Sequence, residues 1–439
     1  MNVYLKFLRL FLVLMVGVFF LVGSGSSADK HGETTPGPDN PDLNDSFIYS
    51  ENSAYSDVLK VCAGVVETEN SCSLSKLPLL MQENETPSKE MIMQRVVVSH
   101  KWMGDRFSEM LDILDDDIKE LLGATTAIII DDDIKPSFYW SVTGAIYIDP
   151  RYLWLTPKEA KTITVKEDFR QNYGNELKFY FATRYIKNNE YAIGYFPLDK
   201  NITRVKEDIK YNLARLLYHE LAHANDFSTK SIILKADKNE SIYNILNNSK
   251  NERISSQLYK NSPLSSEVLT NLGQVMYRGQ EITNTQKDME AKELGLLFEE
   301  DKSVDMYGYS TQYEDLAMMF ESVMMKYHYN LDRDIAFIPK PVKDTNVTYE
   351  DYIVSWGKRN RIADTQVSDR ALFVVKKLLP SKIDWDNFFA TKLEKSKMLK
   401  EGEIWWESRK LDEDSSKVEK IQKIVVPKIN PMDFEISEL

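Results

Sequence analysis

The sequence predicts an α+β fold, and three observations carry that prediction. Short apolar runs bounded by turn residues, Ala127–Ile130 and then 138–140 and 145–148, read as strands. From Arg204 to about Asp226 a run without Pro or Gly places Ile209, Leu213, Leu216, Leu217 and Leu221 at helical intervals. A second, strongly apolar helix follows from about Glu314, and the remainder, 331–439, reads as mainly helical. At 439 residues the chain is long enough for two or three domains.

Taken in order, the chain opens with Lys6 and Arg9 ahead of a 13-residue apolar run, Leu10 to Val22, and the small residues Gly23 to Ala28. This is the layout of a secretory signal peptide over 1–28, with Ser26-x-Ala28 as cleavage site. Counted from Phe7 the apolar run is 16 residues, short of the roughly 20 that a membrane-spanning helix needs. An uncleaved anchor is the alternative. No Cys follows the run, which excludes a lipoprotein signal. The expectation is therefore an exported protein (periplasmic, surface-exposed or secreted) with no stable membrane insertion after cleavage. Residues 29–54, with Thr34-Thr35-Pro36-Gly37-Pro38 and scattered Asp and Asn, read as a disordered linker. Cys62 and Cys72 are the only cysteines and would close a small disulfide loop in an oxidising compartment. Their spacing is not that of a zinc ribbon.

Residues 55–200 form an α+β portion. Ser99–Leu122 carries Trp102, Phe107, Met110, Leu111, Leu114, Ile118 and Leu121 on one helical face, and Ser141–Gly144 joins the last two strand candidates as a hairpin. The formal charge is −13, and it becomes −15 without residues 1–28, which hold Lys6, Arg9 and no acid. That argues against nucleic acid or an anionic membrane surface as partner.

Residues 201–330 carry the chemistry. Of five histidines, two stand in His219-Glu220-Leu221-Ala222-His223. Residues i and i+4 share a helical face, so both imidazoles can reach one metal ion, and Glu220 projects about 100° away, where a base acting on a water belongs. A surface helix that happens to carry two histidines is the bland alternative. The third ligand must come from elsewhere, because Asp226 and Thr229 occupy the positions where collagenase-like enzymes place Gly and His. Glu314, Ala317, Glu321, Met324 and His328 make one stripe, and carboxylates on so apolar a helix need partners if buried. Glu314 is the expected ligand; the competing reading has Glu314 and Asp315 only favouring the helix N-terminus. His328 lies about 21 Å along the axis from Glu314 and cannot share its ion. The intervening residues 229–306 read as a helical insertion with polar loops.

HExxH on one helix and a Glu on a second resemble the gluzincin metallopeptidases. The local likeness is to the catalytic domain of anthrax lethal factor and related peptidases, with HExxHxxxD around the first helix and Tyr-Gly followed by a ligand Glu seven residues after the Tyr. Tyr307-Gly308 precedes Glu314 by that spacing. The likeness covers some forty residues in two blocks. It implies a zincin-like fold with the N-terminal helix/sheet portion over the HExxH helix. It also implies Zn2+ held by His219, His223 and Glu314, Glu220 as general base, and Tyr307 as donor to the oxyanion. An edge strand of the sheet would pair with extended substrate, and Ala145–Asp149 is the candidate edge, ordinary core sheet being the alternative. The chain departs from the pattern at Met318, where many gluzincins carry an acid that buttresses a ligand His; Asp226, Asp315 or Glu321 would have to substitute.

Beyond residue 331, Tyr349–Trp356, Val367–Leu379, Lys392–Lys400 and Ser415–Ile424 read as helices. Lys358-Arg359-Asn360-Arg361 is expected to be solvated or ion-paired, and Trp405-Trp406 to pack into a core rather than form a sugar platform. No internal repeat and no phosphate-binding glycine loop is present. The reading is an exported zinc metallopeptidase acting on peptides or proteins. A non-catalytic exported zinc-binding module and a zinc amidase acting on cell-wall or small amide substrates are the alternatives.

Overall fold

Val96–Val98 and Ile128–Ile130 are unbroken runs of β-branched residues, the mark of strands buried on both faces. In the computed structural model, which describes residues 42–342, 347–379 and 383–411, each is fully buried. With β1 (Phe47–Ile48), β2 (Val96–Val98), β3 (Ile128–Ile130), β4 (Phe138–Trp140) and β5 (Ala145–Ile148) they form a five-stranded sheet of order β1-β2-β3-β5-β4. The three central strands are parallel and both edges antiparallel. Val97, Ile129 and Tyr147 face a small layer closed by the Cys62–Cys72 disulfide. Val96, Val98, Ile128, Ile130, Ile146 and Ile148 face the main core.

A second sheet, of order β10-β9-β8-β6-β7 and antiparallel throughout, joins β6 (Phe179–Lys187), β7 (Glu190–Tyr191), β8 (Asp332–Pro339), β9 (Trp356–Arg359) and β10 (Lys397–Met398). Its strands come from both sides of the HExxH segment. Helix α1 (Lys101–Leu111) packs on β2 of the first sheet, and α2 (Asp116–Leu121) follows it in the main core. Then come α3 (Lys206–Phe227), α4 (Ile254–Asn261), α5 (Glu267–Arg278), α6 (Ala291–Glu300), α7 (Gln312–Tyr329) and α8 (Thr365–Leu378). Helices α3 and α7 lie side by side in the main core, with Leu213, Leu217, Leu221, Leu316, Phe320 and Val323 all buried. Among the described residues no helix is long and apolar enough to cross a membrane.

The α+β expectation holds, and several details change. Ser99–Leu122 is two helices and a 3-10 turn, not one helix: the chain breaks at Asp112–Asp115, and Asp115, a residue that favours caps, precedes α2. The part after residue 331 is not mainly helical. It supplies three strands to the second sheet, and Tyr349–Trp356 is a 3-10 turn leading into β9. Lys392–Lys400 contains β10 in place of a helix. Charged residues there alternate with apolar ones over too few turns to separate helix from strand periodicity. The edge beside the candidate site is β4, not Ala145–Asp149, because the hairpin folds β4 over the outer side of β5. Leu43–Asp45 and Phe47–Ile48, expected to be linker, form a turn and an edge strand. The expected signal peptide, the first half of the linker and Ser415–Ile424 lie outside the described residues.

The insertion 229–306 is helical, as its composition suggests. Gly273 of α5 lies where an added Cβ would come within 2.8 Å of the Tyr309 backbone. Only glycine lets α5 approach the Met306–Tyr309 turn so closely, and that turn borders the candidate site.

Candidate metal centre

Helix α3 starts where Asp208 Oδ2 accepts the Val205 N–H at 2.8 Å. Arg204 anchors the entry. Its guanidinium stacks on Trp154 at 3.8 Å and donates to carbonyls of Trp154 and Arg151. The second half of α3 is buried almost all round, so His219 and Glu220 sit inside the molecule, each 7 % exposed. Helix α7 is capped by Thr311, whose hydroxyl accepts the Glu314 N–H at 3.1 Å. The Glu314 carboxylate is thus not needed as a cap and turns to α3 instead.

Glu314 Oε2 lies 3.0 Å from His219 Nε2 and 3.3 Å from His223 Nε2. One ligand atom from each of the three residues falls within 4.8 Å of the others, the one such His/Cys/Asp/Glu group among the described residues. Ligands held about 2.0–2.2 Å from a tetrahedral zinc stand roughly 3.3 Å apart, and the two measured edges match. Two imidazoles and one carboxylate are also the donor set of a catalytic site that keeps a fourth position open. The residues present therefore fit Zn2+.

Three carboxylates compete for the role that Met318 leaves vacant, and the structure separates them. Asp226 accepts from Ser255 N and Oγ, and Asp315 pairs with Arg370. Glu321, two helical turns beyond Glu314, lies with Oε2 3.3 Å from His219 Nδ1. It is fully buried, with its other oxygen accepting from the Tyr185 hydroxyl at 2.7 Å and from Arg333 at 3.0 Å. Burial opposes its charge, but the bond to His219 and the nearby Arg215 and Arg333 hold its carboxyl well below the usual range. Without an ion, burial works against charge on His219 too, and the bonds to Glu314 and Glu321 outweigh it, lifting the imidazole to about 10.

Glu220 points to the first sheet, where its Oε2 accepts the Tyr139 backbone N–H of β4 at 2.9 Å. Burial raises its pKa, and the two neighbouring imidazoles moderate the rise. A carboxylate so placed is oriented by the edge strand and poised to take a proton. Tyr307 sits in the Met306–Tyr309 turn, half-buried, its ring 6.1 Å from that of His219 and nearly parallel to it. Desolvation, then the Glu314 charge, push its pKa well above the ordinary value, so the phenol keeps its proton. Tyr309 instead donates to Asp301 at 3.0 Å, and Tyr313 packs on Phe227.

The structure brings together all five residues that the sequence singled out, His219, Glu220, His223, Glu314 and Tyr307. Tyr185, Asp305 and Arg333 had no sequence signal: each meets the site only through the pairing of β6 with β8 and the turn before α7. His328 is remote, held by Asp115 at 3.2 Å and Asp117 at 2.6 Å. Lys358, Arg359 and Arg361 are ion-paired, to Glu299 and Asp364, to Asp334, and to Asp364. Trp405 is buried beneath Arg184. Comparison with protein-family models, curated proteins and solved structures returned no match.

Proposed function

We propose that this protein is an exported zinc-dependent peptidase of gluzincin type. The observation that carries the reading is the meeting of His219, His223 and Glu314 within 4.8 Å on two adjacent buried helices, with Glu220 held beside them by an edge-strand amide. A purely structural site needs no such base. Zn2+, when bound, supplies a Lewis acid that acidifies water and polarises a carbonyl. His219, His223 and Glu314 would hold it, and Glu321 orients His219. Glu220 takes the proton of the attacking water and passes it to the leaving amine. The Tyr307 hydroxyl donates to the carbonyl oxygen as that atom gains charge. The signal-peptide layout and the Cys62–Cys72 disulfide support export.

Metal analysis and a peptide-library assay test the reading together. About one zinc per chain is expected, lost in the His219→Ala/His223→Ala double variant and weakened by Glu314→Ala. Glu220→Gln should keep the zinc and lose about 10²–10⁴-fold in turnover. Full zinc in the double variant would remove the site from consideration. A parent that binds zinc yet cleaves no peptide would favour an amidase or a binding module.

A further inference from the structure

We infer that Arg333, on β8, is a positioning residue that couples the metal-binding histidine to the Tyr307 turn. Its guanidinium, 6 % exposed, spans two buried carboxylates, with Nη1 3.0 Å from Glu321 Oε1 and Nη2 2.5 Å from Asp305 Oδ2. Each carboxylate uses its other oxygen on the site. Glu321 Oε2 faces His219 Nδ1 at 3.3 Å, and Asp305 Oδ1 accepts the Tyr307 backbone N–H at 2.7 Å. One unbroken path of charged contacts thus runs from His219 through Glu321, Arg333 and Asp305 to the backbone of Tyr307. A planar fork can hold two carboxylates at fixed separation, which a lysine ammonium, a point charge on a flexible stem, cannot.

The two ends of the path are unequally supported. Glu321 also has the Tyr185 hydroxyl at 2.7 Å and Arg215 at 3.8 Å, so it keeps its place and its hold on His219 if Arg333 is altered. Asp305 has Arg333 as its only ion-pair partner among the described residues. Loss of the fork therefore acts on the Tyr307 turn and spares the metal. Register explains the arrangement: β6 pairs with β8 so that Tyr185 stands opposite Arg333, and both reach Glu321. The second sheet acts here as the support of the site.

The inference rests on the peptidase reading for its effect on turnover, so the test includes two measurements that need no activity. Arg333→Lys, Glu321→Gln and the parent are compared by zinc competition with a chromophoric chelator and by amide hydrogen exchange over residues 303–310. Arg333→Lys should speed exchange at 306–309 by about tenfold or more, since the turn loses its anchor. Its zinc Kd should rise less than about threefold, whereas Glu321→Gln should weaken zinc by about 10–100-fold. Turnover by Arg333→Lys should fall about ten- to a hundredfold with KM nearly unchanged. In a Tyr307→Phe background the same substitution should cost less than about twofold, because the group it positions is gone. Asp305→Asn keeps an acceptor for the Tyr307 N–H but loses the charge, and should raise exchange in the same direction should Arg333→Lys not fold. Unchanged exchange in the folded variants, zinc loss equal to that of Glu321→Gln, or an undiminished turnover effect in the Tyr307→Phe background would each overturn the inference. A parent that proves inactive leaves the exchange and zinc measurements to decide it.

Discussion

Three tyrosines lie within seven residues of one another, at 307, 309 and 313, and the ring of Tyr307 stands beside His219. Tyr307→Phe deletes a hydroxyl and keeps the ring that stacks near His219 and meets Tyr277 at 5.0 Å. Turnover should fall on the order of 10²–10³-fold with zinc affinity unchanged, the loss expected for one oxyanion donor. Tyr309→Phe removes the bond to the buried Asp301, so it should lower stability by about 1–3 kcal/mol and leave the turnover of the proposed reaction unchanged in the folded protein. Steady-state kinetics and urea unfolding on both variants check the pair; the reverse pattern would move the donor role to Tyr309. At this scale the sequence reveals what lies within one helix or turn. His219, Glu220 and His223 share a motif, and Glu314 shares a stripe with Glu321. Which of Asp226, Asp315 and Glu321 faces an imidazole depends on the rotation of α7 against α3, and no local pattern encodes it. Arg333 and Asp305 are ordinary surface-type residues until β8 and the turn bring them together.

Helix α7 is fastened at both ends, by Glu314 to the ligand set and by His328 to the start of α2. Burial alone would lower the His328 pKa, but hydrogen bonds to Asp115 and Asp117 outweigh it and lift the imidazole to about 9. Lys210 acts on Asp115 from α3, and the Tyr218 ring stacks on His328 at 5.9 Å. A histidine whose folded pKa is raised contributes stability that is fully present below its unfolded pKa of about 6.5 and is lost as pH rises through about 9. The parent should therefore lose on the order of 1–3 kcal/mol between pH 6.5 and 9.5 that His328→Gln does not. Urea melts across that range give the comparison, and equal slopes in the two proteins would exclude His328 as the cause. Legibility of elements follows length and regularity. The 22-residue α3 and 18-residue α7 are plain in the sequence, as is the hairpin. The break between α1 and α2 and the strands after residue 331 are not, because they are short and chosen by what the chain packs against.

The second sheet is built on two long neighbouring strands, β6 and β8, that are separated in sequence by the entire HExxH helix and its insertion. Asp334, fully buried at the pairing of β6 with β8, receives Arg184 Nε at 2.9 Å and Arg359 Nε at 2.6 Å. Both guanidiniums also reach residues near the end of the described chain, Arg184 donating to Ser408 Oγ at 2.9 Å and Arg359 to the Arg409 carbonyl at 2.7 Å. One carboxylate thus holds together three strands and a distant segment. Such a cluster contributes less to stability than its geometry suggests, because three charges have left water. Removing one member is a different matter, since it strands like charges in the interior. Asp334→Ala should cost about 3–5 kcal/mol, a large share of the roughly 5–15 kcal/mol that holds a domain folded. Arg333, the preceding residue, turns to the opposite face of the strand and meets Glu321, so zinc affinity of the folded fraction should stay within about twofold. Replacing Arg184, Asp334 and Arg359 together with apolar residues of similar volume should recover most of the loss. Unfolding free energies from urea melts distinguish the cases. A cost under about 1 kcal/mol for Asp334→Ala would mean that water reaches the two arginines. The C-terminal segment would then be held on the sheet by Trp405 and its apolar neighbours instead.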